Sequence, residues 1–257
     1  MSIVELHSEL TGPDGGAPLV LGGSLGTSLA MWDPQLPELS RRWRVVRFDH
    51  RGHGGSPAPT GPYTLAELGG DVLALADRLG LRSFSYCGLS LGGMVGMWLA
   101  INAPARIDRL VLISTSSHLP PASAWRERAD AVRSAGTVAA VADAVLKRWF
   151  TEPFAREHTQ VVAHHREMLV ATPAEGYAGC CEAIAELDLR DGLPAIDAPA
   201  LVIVGEQDPA TPPVHAETIA AAVPEARLEV LDPGAHLASV ERAADVTALI
   251  TGHLSRP

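Results

Sequence analysis

The sequence predicts an α/β fold, a mostly parallel, doubly wound sheet that carries a helical insertion. Three observations predict it. Short apolar runs of strand length recur along the chain, at Pro18-Leu19-Val20-Leu21, Trp43 to Phe48, Arg109 to Ile113 and Ala200 to Val204. Strands apolar on both faces belong in a parallel sheet covered by helices. Stretches of helical periodicity separate the early runs, and such alternation builds crossover units. From about Ser114 to Leu193 the rhythm changes, with helical segments following one another and no strand pattern between them.

A chain of 257 residues, 47% hydrophobic, can bury a large core, so we read one domain. Its core spans 1–114 and 194–257, with the insertion at 115–193. A formal net charge of −10 opposes phosphate-rich surfaces, so neither a nucleic acid nor an anionic membrane is an expected partner. Cys87, Cys180 and Cys181 are odd in number, two of them adjacent and the third inside an apolar strand. That is no disulfide framework, and a reducing, cytoplasmic setting is expected. Met1 to Leu10 lacks the basic start and apolar stretch of a signal peptide, and no apolar run approaches the ~18 residues of a membrane span.

Residues 3–10 alternate weakly and precede the turn-rich Thr11-Gly12-Pro13-Asp14-Gly15-Gly16, so an opening strand returns into the apolar run at Pro18. That run enters the loop Gly22-Gly23-Ser24-Leu25-Gly26-Thr27, which has neither the spacing nor the lysine of a phosphate loop. After Trp43 to Phe48 comes the polar loop Asp49-His50-Arg51-Gly52-His53-Gly54-Gly55-Ser56. Its two histidines have no third ligand in a metal pattern, and we read a structural turn. Leu and Ala at helical spacing predict a helix over Leu65 to Leu79, stopped by Gly80.

Ser83 to Cys87 is a strand pattern running into Gly88-Leu89-Ser90-Leu91-Gly92, after which Gly93 to Ala100 is apolar and helical. A G-x-S-x-G between strand and helix is the nucleophile elbow of an α/β-hydrolase fold. Ser90 sits at its apex in a cramped conformation that glycine neighbours permit. Helices are predicted in the insertion at about Ala122–Ser134, Val138–Trp149, Pro153–Thr172 and Ala174–Leu187, forming a cap over the carboxyl edge of the sheet. Ala200 to Val204 then ends in Gly205-Glu206-Gln207-Asp208-Pro209, and Thr211-Pro212-Pro213 opens the next helix. Arg227 to Leu231 is the last strand, His236 lies on the loop behind it, and a closing helix runs roughly from Leu237 to Leu254.

The order Ser90, Asp208, His236 is that of this fold's catalytic triad. Glu206 is the rival acid, but a side chain that must reach a histidine needs the extra turn that Asp208 has. His236 would take the proton of the weakly nucleophilic Ser90 hydroxyl. Asp208 would fix the imidazole tautomer and stabilise its cation. Backbone N–H groups of Leu25 and Leu91 would form an oxyanion hole, each worth about 3–4 kcal/mol in a comparable hydrolase. The chemistry requires no cofactor and no metal.

The whole chain resembles the 3-oxoadipate enol-lactonases. The residues that carry the resemblance are Ser24-Leu25-Gly26-Thr27 with Met31-Trp32-Asp33, Arg51-Gly52-His53-Gly54, Gly61-Pro62-Tyr63-Thr64, Cys87 to Gly96, Arg148-Trp149-Phe150, and Gly176-Tyr177 with Cys180-Cys181. Gly205 to Pro209 with Ala210-Thr211, and Ala235-His236-Leu237, extend it. Two departures are visible: the loop before Ser24 lacks the His-Gly pair common in the wider superfamily, and Leu91 stands where the family often has Met. The resemblance implies hydrolysis of 3-oxoadipate enol-lactone to 3-oxoadipate in aromatic-compound degradation. Its substrate would be a small lactone or ester bearing a carboxylate, for which Arg128, Arg133 and Arg148 are candidate receptors and Trp149 a wall. Action on another ester, thioester or carbon–carbon bond, or a cofactor-free perhydrolase or haloperoxidase reaction, would use the same triad. A fold kept only for ligand binding would usually have lost a triad member, and here all three are present.

Overall fold

A computed structural model describes residues 2–256. Seven strands form one sheet: β1 (Ser8–Thr11), β2 (Ala17–Gly22), β3 (Trp43–Phe48), β4 (Phe84–Leu89), β5 (Ile107–Ile113), β6 (Ala200–Gly205) and β7 (Arg227–Leu231). Their spatial order is β1-β3-β2-β4-β5-β6-β7, with β1 antiparallel to β3 and every other pairing parallel. Every residue of β4 and of β6 is buried, as expected of strands covered on both faces. β3 lies on one side of β2 and β4 on the other, so the winding reverses there. The carboxyl ends of β2 and β4 therefore border the crevice in which open α/β sheets bind ligands.

Between β2 and β3 lie a 3₁₀ turn, Leu29–Trp32, and the short α1 (Leu36–Leu39); α2 (Leu65–Arg78) joins β3 to β4, and α3 (Leu91–Asn102) joins β4 to β5. α2 begins with a reciprocal cap: the Thr64 hydroxyl accepts from the Glu67 N–H at 3.2 Å, and the Glu67 carboxylate accepts from the Thr64 N–H at 3.1 Å. α3 has buried residues all round, from Leu91 to Ala100, because it sits in the centre of the core. Five helices occupy the stretch between β5 and β6: α4 (Ala122–Ala135), α5 (Ala139–Trp149), α6 (Glu152–Glu157), α7 (Thr159–Ala171) and α8 (Ala174–Ala185). α9 (Pro213–Ala222) joins β6 to β7, and α10 (Ala238–Glu241) and α11 (Ala243–Leu254) follow β7. Among the described residues no helix is long and apolar enough to cross a membrane.

Three elements differ from the sequence expectation. The opening strand is confined to Ser8–Thr11, because the Val4 N–H donates to Asp71 Oδ1 at 2.9 Å and the His7 N–H to Ser56 Oγ at 2.9 Å. The helix expected over Pro153–Thr172 is broken at His158, whose ring packs on Phe154 with centroids 4.3 Å apart while its N–H closes α6 on the Phe154 carbonyl. The closing helix is interrupted at Arg242, whose guanidinium donates to the Pro233 carbonyl at 2.5 Å.

The loop after β3 is held by a buried ion pair. Arg51 Nε donates to Asp71 Oδ2 at 2.6 Å and a second guanidinium nitrogen to Oδ1 at 2.8 Å, a two-pronged contact from α2. Next to it Gly52, at φ 74°, touches Gly176 of α8 backbone to backbone; a Cβ on Gly176 would lie 2.1 Å from the Gly52 carbonyl oxygen. Both side chains of the ion pair are 1% exposed, so removing Asp71 leaves the buried Arg51 charge only the longer contact to Glu67 at 3.6 Å. Asp71→Ala is expected to cost about 3–5 kcal/mol of stability, read from urea unfolding at neutral pH.

Candidate active site

Ser90 stands between the last residue of β4 and the first of α3, at φ 56° and ψ −112°. L residues adopt such a conformation only where their surroundings impose it. The Ser90 N–H donates to the Ile113 carbonyl at 2.9 Å, and the Ser90 carbonyl accepts from the Met94 N–H at 3.0 Å and from Thr115 Oγ1 at 2.7 Å. A Cβ on Gly88 would lie 2.2 Å from the Gly92 carbonyl oxygen, and one on Gly92 would lie 2.2 Å from that of Gly22. The two glycines thus allow α3 to start hard against both β4 and β2.

The loops after β6 and β7 bring the other two residues to it. His236 Nε2 is 3.0 Å from Ser90 Oγ, and Nδ1 is 2.8 Å from Asp208 Oδ2. An ionised carboxylate only accepts, so its partner Nδ1 carries the proton and Nε2 is left to accept from the Ser90 hydroxyl. Asp208 is 2% exposed and further held by the Ala210 N–H at 2.8 Å, the Thr211 N–H at 3.0 Å and the Thr211 hydroxyl at 2.8 Å. Burial pushes its carboxyl up, but the charge and hydrogen bond of His236 and the Thr211 donors outweigh this and hold it below the usual carboxylate range. Glu206, the rival acid, is exposed.

The backbone N–H groups of Leu25 and Leu91 have no hydrogen-bond partner among the described residues. Leu91 opens α3, where an unpaired N–H is inherent to a helix start. The loop bearing Leu25 is fastened by residues of the polar loop after β3. His53 Nε2 accepts from the Gly26 N–H at 2.9 Å while its Nδ1 lies 3.1 Å from the Arg51 carbonyl, which assigns its proton to Nδ1. His50 Nε2 lies 3.1 Å from the Gly23 carbonyl, and Asp49 Oδ1 accepts from the Leu29 N–H at 2.6 Å. Burial first, then the neighbouring His53, pushes His50 down to about 3, and burial lowers His53 as well. Both rings are therefore neutral at ordinary pH.

A pocket opens over this group, with Ser24, Leu25, Ser90, Thr211 and His236 on one side. Helices from the insertion supply the other: Trp125 and Arg128 of α4, Val145, Arg148 and Trp149 of α5, and Tyr177 of α8. Tyr177 is buried and was not singled out as a site residue from sequence. Among the described residues, neither Arg128 nor Arg148 has a carboxylate within ion-pair distance, whereas Arg133 is fully occupied. Arg133 bonds Glu175 at 2.9 Å and Glu182 at 2.5 Å and does not line the pocket, which corrects its place among the candidate receptors. Arg128 lies 4.5 Å over the Trp125 ring, which orients it. Arg148 is exposed; burial of part of its side chain, then the like charge of Arg128, lowers its pKa. Among the described residues no group of three His, Cys, Asp or Glu side chains is placed to hold a metal.

The family model of the alpha/beta hydrolase fold matches residues 17–136 and 140–243. The chain belongs to the α/β-hydrolase family. Among its relatives, 3-oxoadipate enol-lactonase 2 of Acinetobacter baylyi is 39% identical over 87% of this chain and 83% of its own length. The enol-lactonase from Burkholderia xenovorans superposes with a TM-score of 0.96 at 42% identity, covering 98% of this chain and 97% of the other. A hydrolase from Pseudomonas aeruginosa superposes at 0.95 with 45% identity, over 98% of this chain and 95% of the other. This α/β-hydrolase is accordingly an enzyme of the ester-hydrolysing kind.

The buried neutral histidines tie stability to pH. His50 holds its proton far more weakly folded, near 3, than at its usual 6.5, so the unfolded chain gains protons first as pH falls. The associated stability is full above pH 6.5 and is lost as pH drops toward 3. Urea unfolding at pH 7 and pH 5 should differ by about 2 kcal/mol from this residue alone, and His50→Asn should flatten that slope. Asp208 acts in a lower window, its contribution being lost only as pH falls below the usual carboxylate range.

Proposed function

We propose that this α/β-hydrolase opens 3-oxoadipate enol-lactone with water to give 3-oxoadipate, through an acyl-enzyme on Ser90. The observation that carries the reading is the line Asp208–His236–Ser90 facing a pocket that holds two arginines without acidic partners. In a chain of net charge −10, such arginines match an anionic small molecule, and the lactone carries one free carboxylate. The relatives named as enol-lactonases support the same substrate.

His236 Nε2 takes the Ser90 proton as Oγ attacks the lactone carbonyl carbon. The negative charge that develops on the carbonyl oxygen is met by the N–H groups of Leu25 and Leu91. Collapse breaks the ring C–O bond and expels an enolate, which His236 protonates and which relaxes to a ketone. That relaxation makes the enol a good leaving group. The ring opens without losing a fragment, so the acyl chain stays on Ser90 until water, deprotonated by His236, attacks the same carbon; the bond to Ser90 Oγ then breaks, Oγ takes that proton back from His236, and the second carboxylate is freed. Asp208 keeps His236 in the working tautomer and balances its charge. The helices between β5 and β6 serve as a cap that closes over the lactone, with Trp149 as a wall and Arg128 and Arg148 on the carboxylate.

Purified enzyme is expected to discharge the ultraviolet absorbance of the enol-lactone, and Ser90→Ala to lower the rate at least ~10⁴-fold while circular dichroism stays unchanged. Wild type that turns over aryl esters but ignores the lactone would sink the substrate assignment. Arg128→Met and Arg148→Met should each raise KM for the lactone by about 10-fold or more, the equivalent of one charge-assisted hydrogen bond, and leave phenyl acetate hydrolysis little changed.

A further inference from the structure

The loop that carries His236 is gripped from two directions. On the side of the acid, the Gly234 N–H donates to Gln207 Oε1 at 2.7 Å and the Gln207 N–H to the Gly234 carbonyl at 2.9 Å. Three successive N–H groups of the loop are engaged as well, two of them by the insertion. Those of His236 and Leu237 donate to the carbonyls of Arg148 and Trp149, at 3.4 and 2.9 Å. That of Ala235 donates to Glu241 Oε2 at 3.2 Å.

Glu241, at the end of α10, turns back toward the same segment. Its Oε2 also accepts from the Thr151 N–H at 3.2 Å, and its Oε1 accepts from the Thr151 hydroxyl. One half-buried carboxylate therefore holds the residue just before the base and a residue just beyond Arg148 and Trp149. Among the described residues it has no cationic partner, so its negative charge is spent on these neutral donors. Gln207 already anchors the loop to the acid side, so what Glu241 adds is register between the loop and the end of α5.

We infer that Glu241 is a positioning residue that sets His236 and the Arg148–Trp149 wall in one register, so that a single carboxylate places both the base and the charge-selecting arm of the pocket. The inference rests on the roles given above to His236 and Arg148. It makes rate and charge preference change together when the carboxylate is lost. A residue that merely stabilised the fold would alter neither at temperatures where the protein is folded.

Two phenyl esters separate these cases without relying on the lactone: phenyl acetate, with a neutral acyl group, and the mono-phenyl ester of glutaric acid, whose acyl chain ends in a carboxylate. Glu241→Ala is expected to lower kcat on both esters by about 10- to 100-fold, as misplacement of a reacting group does. It should also raise KM for the glutarate ester at least ~3-fold more than KM for the acetate, through the lost alignment of a charge-assisted contact. Glu241→Gln, which keeps a carbonyl acceptor for the Ala235 N–H, should recover most of kcat. Thr151→Val loosens only the insertion side, so it should shift the KM ratio and leave kcat within about twofold of wild type. A folded Glu241→Ala enzyme with kcat and KM ratio within twofold of wild type overturns the inference. If Glu241→Ala does not fold, an unchanged KM ratio in Thr151→Val overturns it instead. Failure on the enol-lactone with normal ester turnover would refute the substrate and leave these ratios readable.

Discussion

The backbone of Ser90 is held at φ 56° by contact rather than by its own preference, and the contact is between chains that carry no side chain at the point of approach. Gly88 lies against the Gly92 carbonyl, and Gly92 against that of Gly22. The strain is offset by two backbone hydrogen bonds and one from the Thr115 hydroxyl. Everything chemical follows from that turn. It presents the Ser90 hydroxyl to His236, leaves the Leu91 N–H at the open end of a helix, and seats the loop of Leu25 beside it through the bond from the Gly92 N–H to the Gly23 carbonyl at 2.9 Å.

The loop after β3 supplies the second layer of this arrangement. Two buried histidines there work as neutral hydrogen-bonding parts, one accepting from Gly26 and one reaching Gly23, and burial is what keeps them neutral. An imidazolium at position 53 would present a proton to the Gly26 N–H in place of a lone pair. Arg51 in the same loop is fixed by Asp71, so the support reaches from the loop of Leu25 to α2.

Much of this was legible in the sequence, and the reasons are physical. Parallel strands buried on both faces read as apolar runs, and Ser90 and Asp208 follow such strands, whereas β7 before His236 is a partly exposed strand with two charged residues, so His236 is picked out by chain order. The receptors for a substrate charge were not separable in the same way. Arg128 and Arg133 share α4, but five residues turn a helix by about 140°, so they face different neighbours. Arg133 meets Glu175 and Glu182, which are seven apart on α8 and share a face, a spacing visible in the sequence once the pairing of α4 with α8 is known. The partners of His50 and His53 lie some 27 residues earlier in the chain, and no local pattern points to them. The breaks at His158 and Arg242 fall at residues with no glycine or proline signal: at Arg242 the break goes with a contact to the loop before it, and at His158 with a local one to Phe154.

The meeting of Gly52 with Gly176 has a mechanical consequence when it is taken with the bond from the Leu237 N–H to the Trp149 carbonyl. Both are contacts of main chain on main chain, and they pin the helices over the site to the sheet at two separated points. A body pinned at two points keeps a single freedom, rotation about the line that joins them. Any opening that admits a ligand without breaking these contacts is a hinge on that line, and Trp149, whose own carbonyl is one of the two pins, is the pocket residue whose main chain such a hinge leaves in place.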